Sequence, residues 1–145
     1  MSIWCGVCVA RRLREAGMAG ELILIVEDNE MNMKLVRDIL QFRGYRTLEA
    51  ETAHDAIALA TEHLPDLILM DIQLPDMDGD KALARLRGEP ATAALRVVAL
   101  TAFAMRDDRE RFLALGFDDY MTKPIEVRQF PELIRQQCEL ARQGK

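Results

Sequence analysis

LILMD, residues Leu67–Asp71, is a run of four apolar side chains that ends in a carboxylate. ILIVED, residues 23–28, repeats this pattern and ends in Glu27 and Asp28. Aspartate and glutamate are rarely buried without a partner. Two apolar segments that both finish in acidic residues therefore indicate a site.

The bulk properties are those of an ordinary globular domain. The 145 residues are enough for one domain, with 50% hydrophobic and 30% charged residues. The net charge of −5 argues against nucleic acid or an anionic membrane as a partner. No apolar run approaches the ~20 residues that a membrane span needs, and the first residues lack the basic start of a secretory signal. We therefore expect a location in the cytoplasm.

The first residues carry a possible redox motif. WCGVC, residues 4–8, resembles the thioredoxin motif, but only four residues precede Cys5, too few for the strand that this chemistry requires. The roles of Cys5 and Cys8 stay open. We expect residues 1–18 to be an N-terminal extension and residues 19–145 to form the domain.

Segments with the patterns of strands and helices alternate after Gly20. Continuous apolar runs or short half-polar runs predict five strands, at Leu22–Val26, Arg46–Ala50, 67–70, 95–100 and Asp119–Thr122. Helical spacing of apolar residues predicts a helix after each strand, the last two at 105–115 and 126–142.

This alternation predicts an α/β fold with a doubly wound parallel sheet and helices on both faces. The flavodoxin-like strand order is 2-1-3-4-5, with ligands at the strand C-termini beside the first and third strands. Those two strands end in Glu27, Asp28 and Asp71. We therefore expect three acidic side chains in one crevice.

A crevice with three acidic side chains is expected to bind a cation that neutralises their charge. Two like charges about 4 Å apart repel by about 4 kcal/mol at an effective dielectric constant of ~20. Oxygen ligands in an open site suit Mg²⁺, and an aspartate beside the metal can act as a nucleophile toward a phosphoryl group. Thr101 and Lys123 end the fourth and fifth strands, and they supply a hydroxyl and a positive charge.

Four blocks of sequence carry a family resemblance: ILIVEDN (23–29), LILMDIQLPDMDG (67–79), ALTAFA (99–104) and YMTKPI (120–125). Together they resemble the receiver domain of response regulators, the CheY-like superfamily. The resemblance extends from Glu21 to about Leu140. It implies that Asp71 is the phosphoacceptor, and that Glu27, Asp28, Asp71 and the backbone carbonyl of Gln73 hold Mg²⁺.

The same resemblance assigns roles to residues at the ends of the last two strands. Thr101 would bond the phosphoryl group and Lys123 would pair with it. Tyr120 resembles the switch aromatic that rotates inward when Thr101 moves. Pro124 resembles a proline whose preceding peptide bond is cis, a state of only ~5–6% of X–Pro bonds.

Two further positions bear on the lifetime of the phosphoryl group. Gln73 lies two residues after the acceptor, and Phe103 lies two residues after Thr101. An aromatic Phe103 should obstruct an in-line water and cannot orient one. We therefore expect slow self-dephosphorylation.

The resemblance implies a stand-alone response regulator of a two-component phosphorelay. A histidine kinase or a histidine phosphotransfer protein would donate the phosphoryl group, and contacts with a downstream protein would carry the signal. The same hypothesis includes a weak homodimer through the fourth helix, fifth strand and last helix. No enzymatic activity beyond its own phosphorylation and dephosphorylation is expected.

Two other functions stay open from the sequence alone. A Mg²⁺-dependent phosphatase would use Asp71 as nucleophile, but it needs a second aspartate where this chain has Gln73. A phosphate-independent interaction module is the other alternative. Asp28 or Asn29 could also cap the first helix, and His54 and His63 are expected on an exposed helix surface.

Overall fold

The computed structural model describes residues 20–102 and 108–143 of the chain. In these residues, strands and helices alternate: β1 Leu22–Val26, α1 Glu30–Phe42, β2 Arg46–Ala50, α2 Ala53–His63, β3 Leu67–Asp71, α3 Gly79–Gly88, β4 Val97–Thr101, α4 Asp108–Leu115, β5 Asp119–Thr122 and α5 Phe130–Gln143.

The five strands form one sheet in the order β2-β1-β3-β4-β5, and every pairing is parallel. This confirms the predicted fold class. β1, β3 and β4 are the central strands, and almost all of their residues are buried. β2 at one edge is more polar and more exposed, because only one side of an edge strand is paired.

Alternate residues of each strand point to opposite faces of the sheet and build two cores. Leu24, Val26, Ile68 and Met70 pack with α2, α3 and α4 on one face. Residues offset by one position along the same strands pack with α1 and α5 on the other face. Burial on both faces explains why these strands are continuously apolar in the sequence.

The ends of several elements differ slightly from the sequence-based expectation. β3 extends to Asp71, and β4 runs over Val97–Thr101 instead of 95–100. The last helix begins at Phe130 rather than at residue 126. Pro131 explains the shift, because proline lacks an N–H and fits only the first turn of a helix.

Candidate functional site

The carboxyl ends of the central strands bring the predicted site residues together. Val26 and Met70 are partners in the parallel pairing of β1 and β3, so Glu27 follows β1 at the level where Asp71 ends β3. Asp71 in turn pairs with Leu100 of β4, one residue before Thr101. The register of the sheet thus places these side chains at one edge.

Three carboxylates form a compact cluster there. Glu27, Asp28 and Asp71 each offer one oxygen, and these oxygens all lie within 4.8 Å of one another. Glu27 is 2% exposed and Asp71 is 6% exposed, whereas Asp28 lies at the surface. Three oxygen donors with one exposed member make an open site that fits Mg²⁺. The acidic crevice inferred from the sequence is therefore present.

Lys123 connects the two buried acids. Its Nζ donates to Glu27 Oε2 at 2.6 Å and to Asp71 Oδ2 at 2.8 Å. The Lys123 N–H donates to the carbonyl of Thr101 at 2.8 Å, which holds the lysine beside the end of β4. The peptide bond between Lys123 and Pro124 is cis, the geometry that the family resemblance implied.

The protonation of this cluster reflects burial and charge. Desolvation raises the pKa of Glu27 above its ordinary value, and the neighbouring Asp71 adds to this, while the hydrogen bond from Lys123 opposes both effects. Desolvation works to lower the pKa of Lys123, but its hydrogen bonds to Asp71 and Glu27 outweigh that cost and raise it. Lys123 is therefore held as a cation against the two carboxylates.

The loop after β3 returns to Asp71. The N–H of Gln73 donates to Asp71 Oδ1 at 3.0 Å, and the N–H of Gly79 donates to the carbonyl of Ile72 at 2.8 Å. A Cβ atom on Gly79 would lie 2.7 Å from the backbone oxygen of Asp71. Glycine is thus required for the start of α3 to approach the backbone of Asp71 so closely.

Thr101 and Tyr120 lie on the neighbouring strands β4 and β5, and Tyr120 pairs with Ala99, two residues before Thr101. Thr101 is the last residue of β4 and is 5% exposed. Tyr120 of β5 is partly buried and packs against Phe112 of α4, with ring centroids 5.7 Å apart. The aromatic ring therefore links β5 to α4.

The first helix is capped by Asn29 and not by Asp28. The N–H of Asn32 donates to Asn29 Oδ1 at 3.0 Å. The N–H of Asn29 donates to Glu27 Oε1 at 3.2 Å. One of the two capping residues considered from the sequence is therefore correct, and Asp28 belongs to the acidic cluster.

The sequence did not reveal a second acidic contact near the site. Asp76, in the loop after β3, accepts hydrogen bonds from the backbone of Ala53 and His54 and contacts the ring of His54. The His54 side chain is 64% exposed, as expected for a surface histidine, but it has this partner. The sequence spacing of 22 residues between Asp76 and His54 gave no signal for the contact.

Some predictions fall outside the described residues. Phe103, proposed to tune dephosphorylation, lies between the two described ranges, and so does the start of the helix predicted at 105–115. Cys5, Cys8 and the rest of the extension at 1–18 precede the first described residue. The domain boundary at residue 19 stays a prediction.

The parallel sheet, its strand order and the acidic cluster at its carboxyl edge are the features expected of a receiver-type signalling module. The chain belongs to the response regulator receiver domain family, whose model matches residues 23–135. Receiver domains are signalling modules rather than classical enzymes. No helix within residues 20–102 and 108–143 is long and apolar enough to cross a lipid bilayer.

Individual relatives support the same assignment. The chain is 46% identical over 113 residues to the polar-differentiation response regulator DivK of Brucella ovis, covering 78% of this chain and 92% of DivK. It has the same identity and coverage with DivK of Brucella suis. The chain is therefore similar to DivK over nearly the whole length of that protein.

Solved structures share the fold. A CheY-like receiver domain protein from Methanospirillum hungatei aligns with a TM-score of 0.78 at 28% identity, covering 88% of this chain and 100% of that chain. The receiver domain of the sensor histidine kinase PA1611 from Pseudomonas aeruginosa aligns with a TM-score of 0.75 at 33% identity, covering 83% of this chain and 99% of that chain. The latter was solved with a magnesium ion coordinated in its active site cleft.

Proposed function

We propose that this protein is a response regulator that accepts a phosphoryl group on Asp71 in a two-component phosphorelay. The observation that carries the proposal is the contact of one cation, Lys123, with two buried carboxylates at the carboxyl edge of the sheet. The similarity to DivK supports a role in the cell cycle.

In the proposed reaction, a carboxylate oxygen of Asp71 attacks the phosphorus atom of the donor. The bond between phosphorus and the leaving group breaks, and the leaving group keeps the electron pair. The product is an acyl phosphate on Asp71. The two oxygens of Asp71 have different donors: the Gln73 N–H donates to Oδ1, and Lys123 Nζ donates to Oδ2. We infer that Oδ2 is the oxygen that attacks.

Mg²⁺ would be held by Glu27, Asp28, Asp71 and the backbone carbonyl of Gln73, and it would neutralise the charge on the transferring phosphoryl oxygens. The donor set supports this, since three carboxylate oxygens converge within 4.8 Å. The magnesium ion in the cleft of the PA1611 receiver domain supports the same site.

Thr101 and Lys123 would respond to the new phosphoryl group. Thr101 ends β4, the strand beside β3, and Lys123 follows β5 at the next position in the sheet. Their contacts with a phosphoryl group would exist only in the phosphorylated state. A contact that exists in only one of two states shifts the population toward that state, and the free energy of the contact sets the size of the shift. We propose that Tyr120, which packs on Phe112, passes this shift to the surface of α4, β5 and α5.

Partners follow from the same proposal. A histidine kinase or a histidine phosphotransfer protein would donate the phosphoryl group, and a downstream protein would bind the surface of α4, β5 and α5. A weak homodimer through that surface belongs to the proposal, as does a location in the cytoplasm. Neither nucleic acid nor a membrane is proposed as a partner.

The lifetime of the phosphoryl group is part of the proposal. Gln73 and Phe103 stand at the two positions that tune attack by water, and neither supplies a carboxylate base. We propose that dephosphorylation is slow. A Phe103→Glu variant that lost its phosphoryl group at the wild-type rate would contradict this point.

The phosphatase alternative finds no support in the site. A phosphatase of that type needs a carboxylic acid two residues after its nucleophile, to protonate the leaving group. Gln73 occupies that position, and its backbone N–H donates a hydrogen bond to Asp71. The three carboxylates whose oxygens lie within 4.8 Å of one another favour a module that uses a metal and phosphate over a module that uses neither.

Incubation with acetyl phosphate and Mg²⁺, followed by intact mass spectrometry, tests the proposal. The wild type should gain the mass of one phosphoryl group, and Asp71→Asn should gain none. Asp38→Asn is the matched control, because Asp38 is an exposed acid of α1 that pairs with Lys34. An unmodified wild type, or an Asp71→Asn variant that is modified equally, would overturn the proposal.

A further inference from the structure

The loop between β3 and α3 is closed at its base. Gln73 and Asp78 form an isolated antiparallel bridge across the loop, and the N–H of Gly79 donates to Ile72. Gln73 lies inside this closed loop and also donates its N–H to Asp71. The position of Gln73 relative to Asp71 therefore depends on how the loop is held.

Asp76 lies near the tip of the loop and contacts a different element. Its Oδ1 accepts the N–H of Ala53 at 2.8 Å, and its Oδ2 accepts the N–H of His54 at 3.0 Å. The ring Nδ1 of His54 also contacts Asp76 Oδ2. Ala53 and His54 are the first two residues of α2, whose amides have no partner within the helix.

The cap of α2 is therefore divided between two residues. Thr52 accepts the N–H of Asp55 at 3.1 Å, as an ordinary N-cap residue does. Asp76 accepts hydrogen bonds from the N–H groups of Ala53 and His54, which lie 23 and 22 residues before it in the sequence. One of these caps is local to α2, and the other joins α2 to the loop that contains Gln73.

The charge of Asp76 suits this contact. Desolvation raises the pKa of Asp76, but the hydrogen bonds from Ala53, from the His54 backbone and from the His54 ring together lower it below its usual range. An ionised carboxylate at the start of a helix is also favoured by the helix dipole. The contact between the loop and α2 is thus made by a charged group with three donors.

We propose that Asp76 is a positioning residue for the metal and phosphoryl site. This inference rests on the proposed function and deepens it. Asp76 fixes the tip of the loop to α2, and the closed loop transmits that position to Gln73, three residues earlier. Gln73 holds Asp71 through its N–H and would offer its carbonyl to Mg²⁺.

The test compares Asp76→Ala with Thr52→Val. Each variant removes acceptors from the N-terminus of α2, but only Asp76→Ala releases the loop. The Mg²⁺ dissociation constant is measured by titrating each protein with Mg²⁺ alone, following backbone amide shifts by NMR. Asp76→Ala should bind Mg²⁺ on the order of tenfold more weakly, the low end of the range for residues that orient metal ligands. Thr52→Val should bind Mg²⁺ as the wild type does.

Two further readouts separate positioning from simple loss of stability. The amide resonance of Gln73 in metal-free protein should move in Asp76→Ala and stay in place in Thr52→Val. Asp76→Asn retains one carbonyl oxygen as an acceptor, so it should recover part of the Mg²⁺ affinity. These results, with a folded spectrum for each variant, would establish the positioning role.

Equal Mg²⁺ affinity in Asp76→Ala and Thr52→Val would overturn the inference and leave the proposed function intact, provided that the wild type binds Mg²⁺. A wild type that binds no Mg²⁺ would overturn both. The two failures are therefore distinguishable by the wild-type titration.

Discussion

Lys123 lies across the crevice from Glu27, and its Nζ is 2.6 Å from Glu27 Oε2. The same nitrogen is 2.8 Å from Asp71 Oδ2. A single lysine at the end of β5 thus partly neutralises the acids at the ends of β1 and β3. In the absence of metal, this lysine is the cation that limits the repulsion in the cluster.

Replacing Lys123 should therefore destabilise the metal-free protein. A Lys123→Met variant leaves Glu27 and Asp71 buried together without their cation. Breaking a buried ion pair in this way costs about 3–5 kcal/mol in general, and we expect about 2 kcal/mol here because the site is partly open. Urea unfolding in EDTA measures the loss.

The matched control is Lys34→Met. Lys34 pairs with Asp38 on the exposed surface of α1, where both side chains are more than half exposed, at 69% and 52%. Solvent screens an exposed pair of this kind, so Lys34→Met should change the stability far less than Lys123→Met does. Equal effects of the two substitutions would show that the Lys123 contacts carry no special weight.

Asp28→Asn should have the opposite effect. Asp28 is exposed, and one of its oxygens lies within 4.8 Å of those of Glu27 and Asp71. Removing its charge relieves repulsion and should stabilise the metal-free protein by about 1 kcal/mol, less than the full Coulomb energy because solvent screens an exposed group. A loss of stability in EDTA would contradict this expectation.

Asp71→Asn should stabilise the metal-free protein in EDTA less than Asp28→Asn does. From the charges alone, both substitutions are expected to stabilise the metal-free protein. The structure adds the contact of Asp71 with Lys123, which the substitution weakens. Relief of repulsion and loss of an ion pair then offset each other.

Mg²⁺ should raise the unfolding midpoint of the wild type. A ligand that binds only the folded state at ten times its dissociation constant stabilises it by about 1.4 kcal/mol. Thermal unfolding with Mg²⁺, compared with NaCl at matched ionic strength, measures the shift. The shift should vanish in Asp71→Asn, and a similar shift with NaCl would attribute the effect to screening.

The fold could be predicted from the sequence because its three central strands, β1, β3 and β4, are buried on both faces. Continuous apolar runs such as Leu67–Met70, which alternate along the chain with amphipathic helices, have few stable arrangements other than a parallel sheet covered on both faces. The acids at the strand ends followed from the same pattern, since parallel strands end at one edge. Glu27, Asp71 and Lys123 therefore came together as expected.

The remaining features depend on contacts between elements distant in sequence. The link from Asp76 to His54 uses backbone amides at the start of α2, and amides are the same at every position of a sequence. The shift of α5 to Phe130 follows from the geometry of Pro131, which apolar spacing alone did not reveal. Such features become visible only when the packed structure is known.

Cys138 should be unreactive in the folded protein. Burial raises the pKa of its thiol to about 12, and the residue is 2% exposed in the core between the sheet and α5. Only the thiolate reacts with disulfide reagents, so little reactive species is present at pH 8. In a Cys5→Ser, Cys8→Ser background, a thiol reagent should titrate no thiol until urea is added. Rapid labelling of the folded variant would show that this core opens readily.

Gly79→Ala should damage both the stability and the site. The added Cβ would lie 2.7 Å from the backbone oxygen of Asp71 and 3.0 Å from the Cα of Ile72. Neither neighbour is a flexible side chain, so the start of α3 must move away from the phosphoacceptor. We expect a loss of about 1–3 kcal/mol, the usual cost of overpacking, measured by urea unfolding, with slower phosphorylation by acetyl phosphate.

Gly88→Ala is the control at the other end of α3. A Cβ there meets nothing within 4 Å, and Gly88 has no positive φ that an alanine would strain. Alanine at a helical position without a clash stabilises by about 0.4–1 kcal/mol through the unfolded state, so Gly88→Ala should keep the wild-type phosphorylation rate. The clash in Gly79→Ala forces α3 away from the backbone of Asp71. If this variant also kept the wild-type phosphorylation rate, the close approach of α3 to Asp71 would not be needed for phosphoryl transfer.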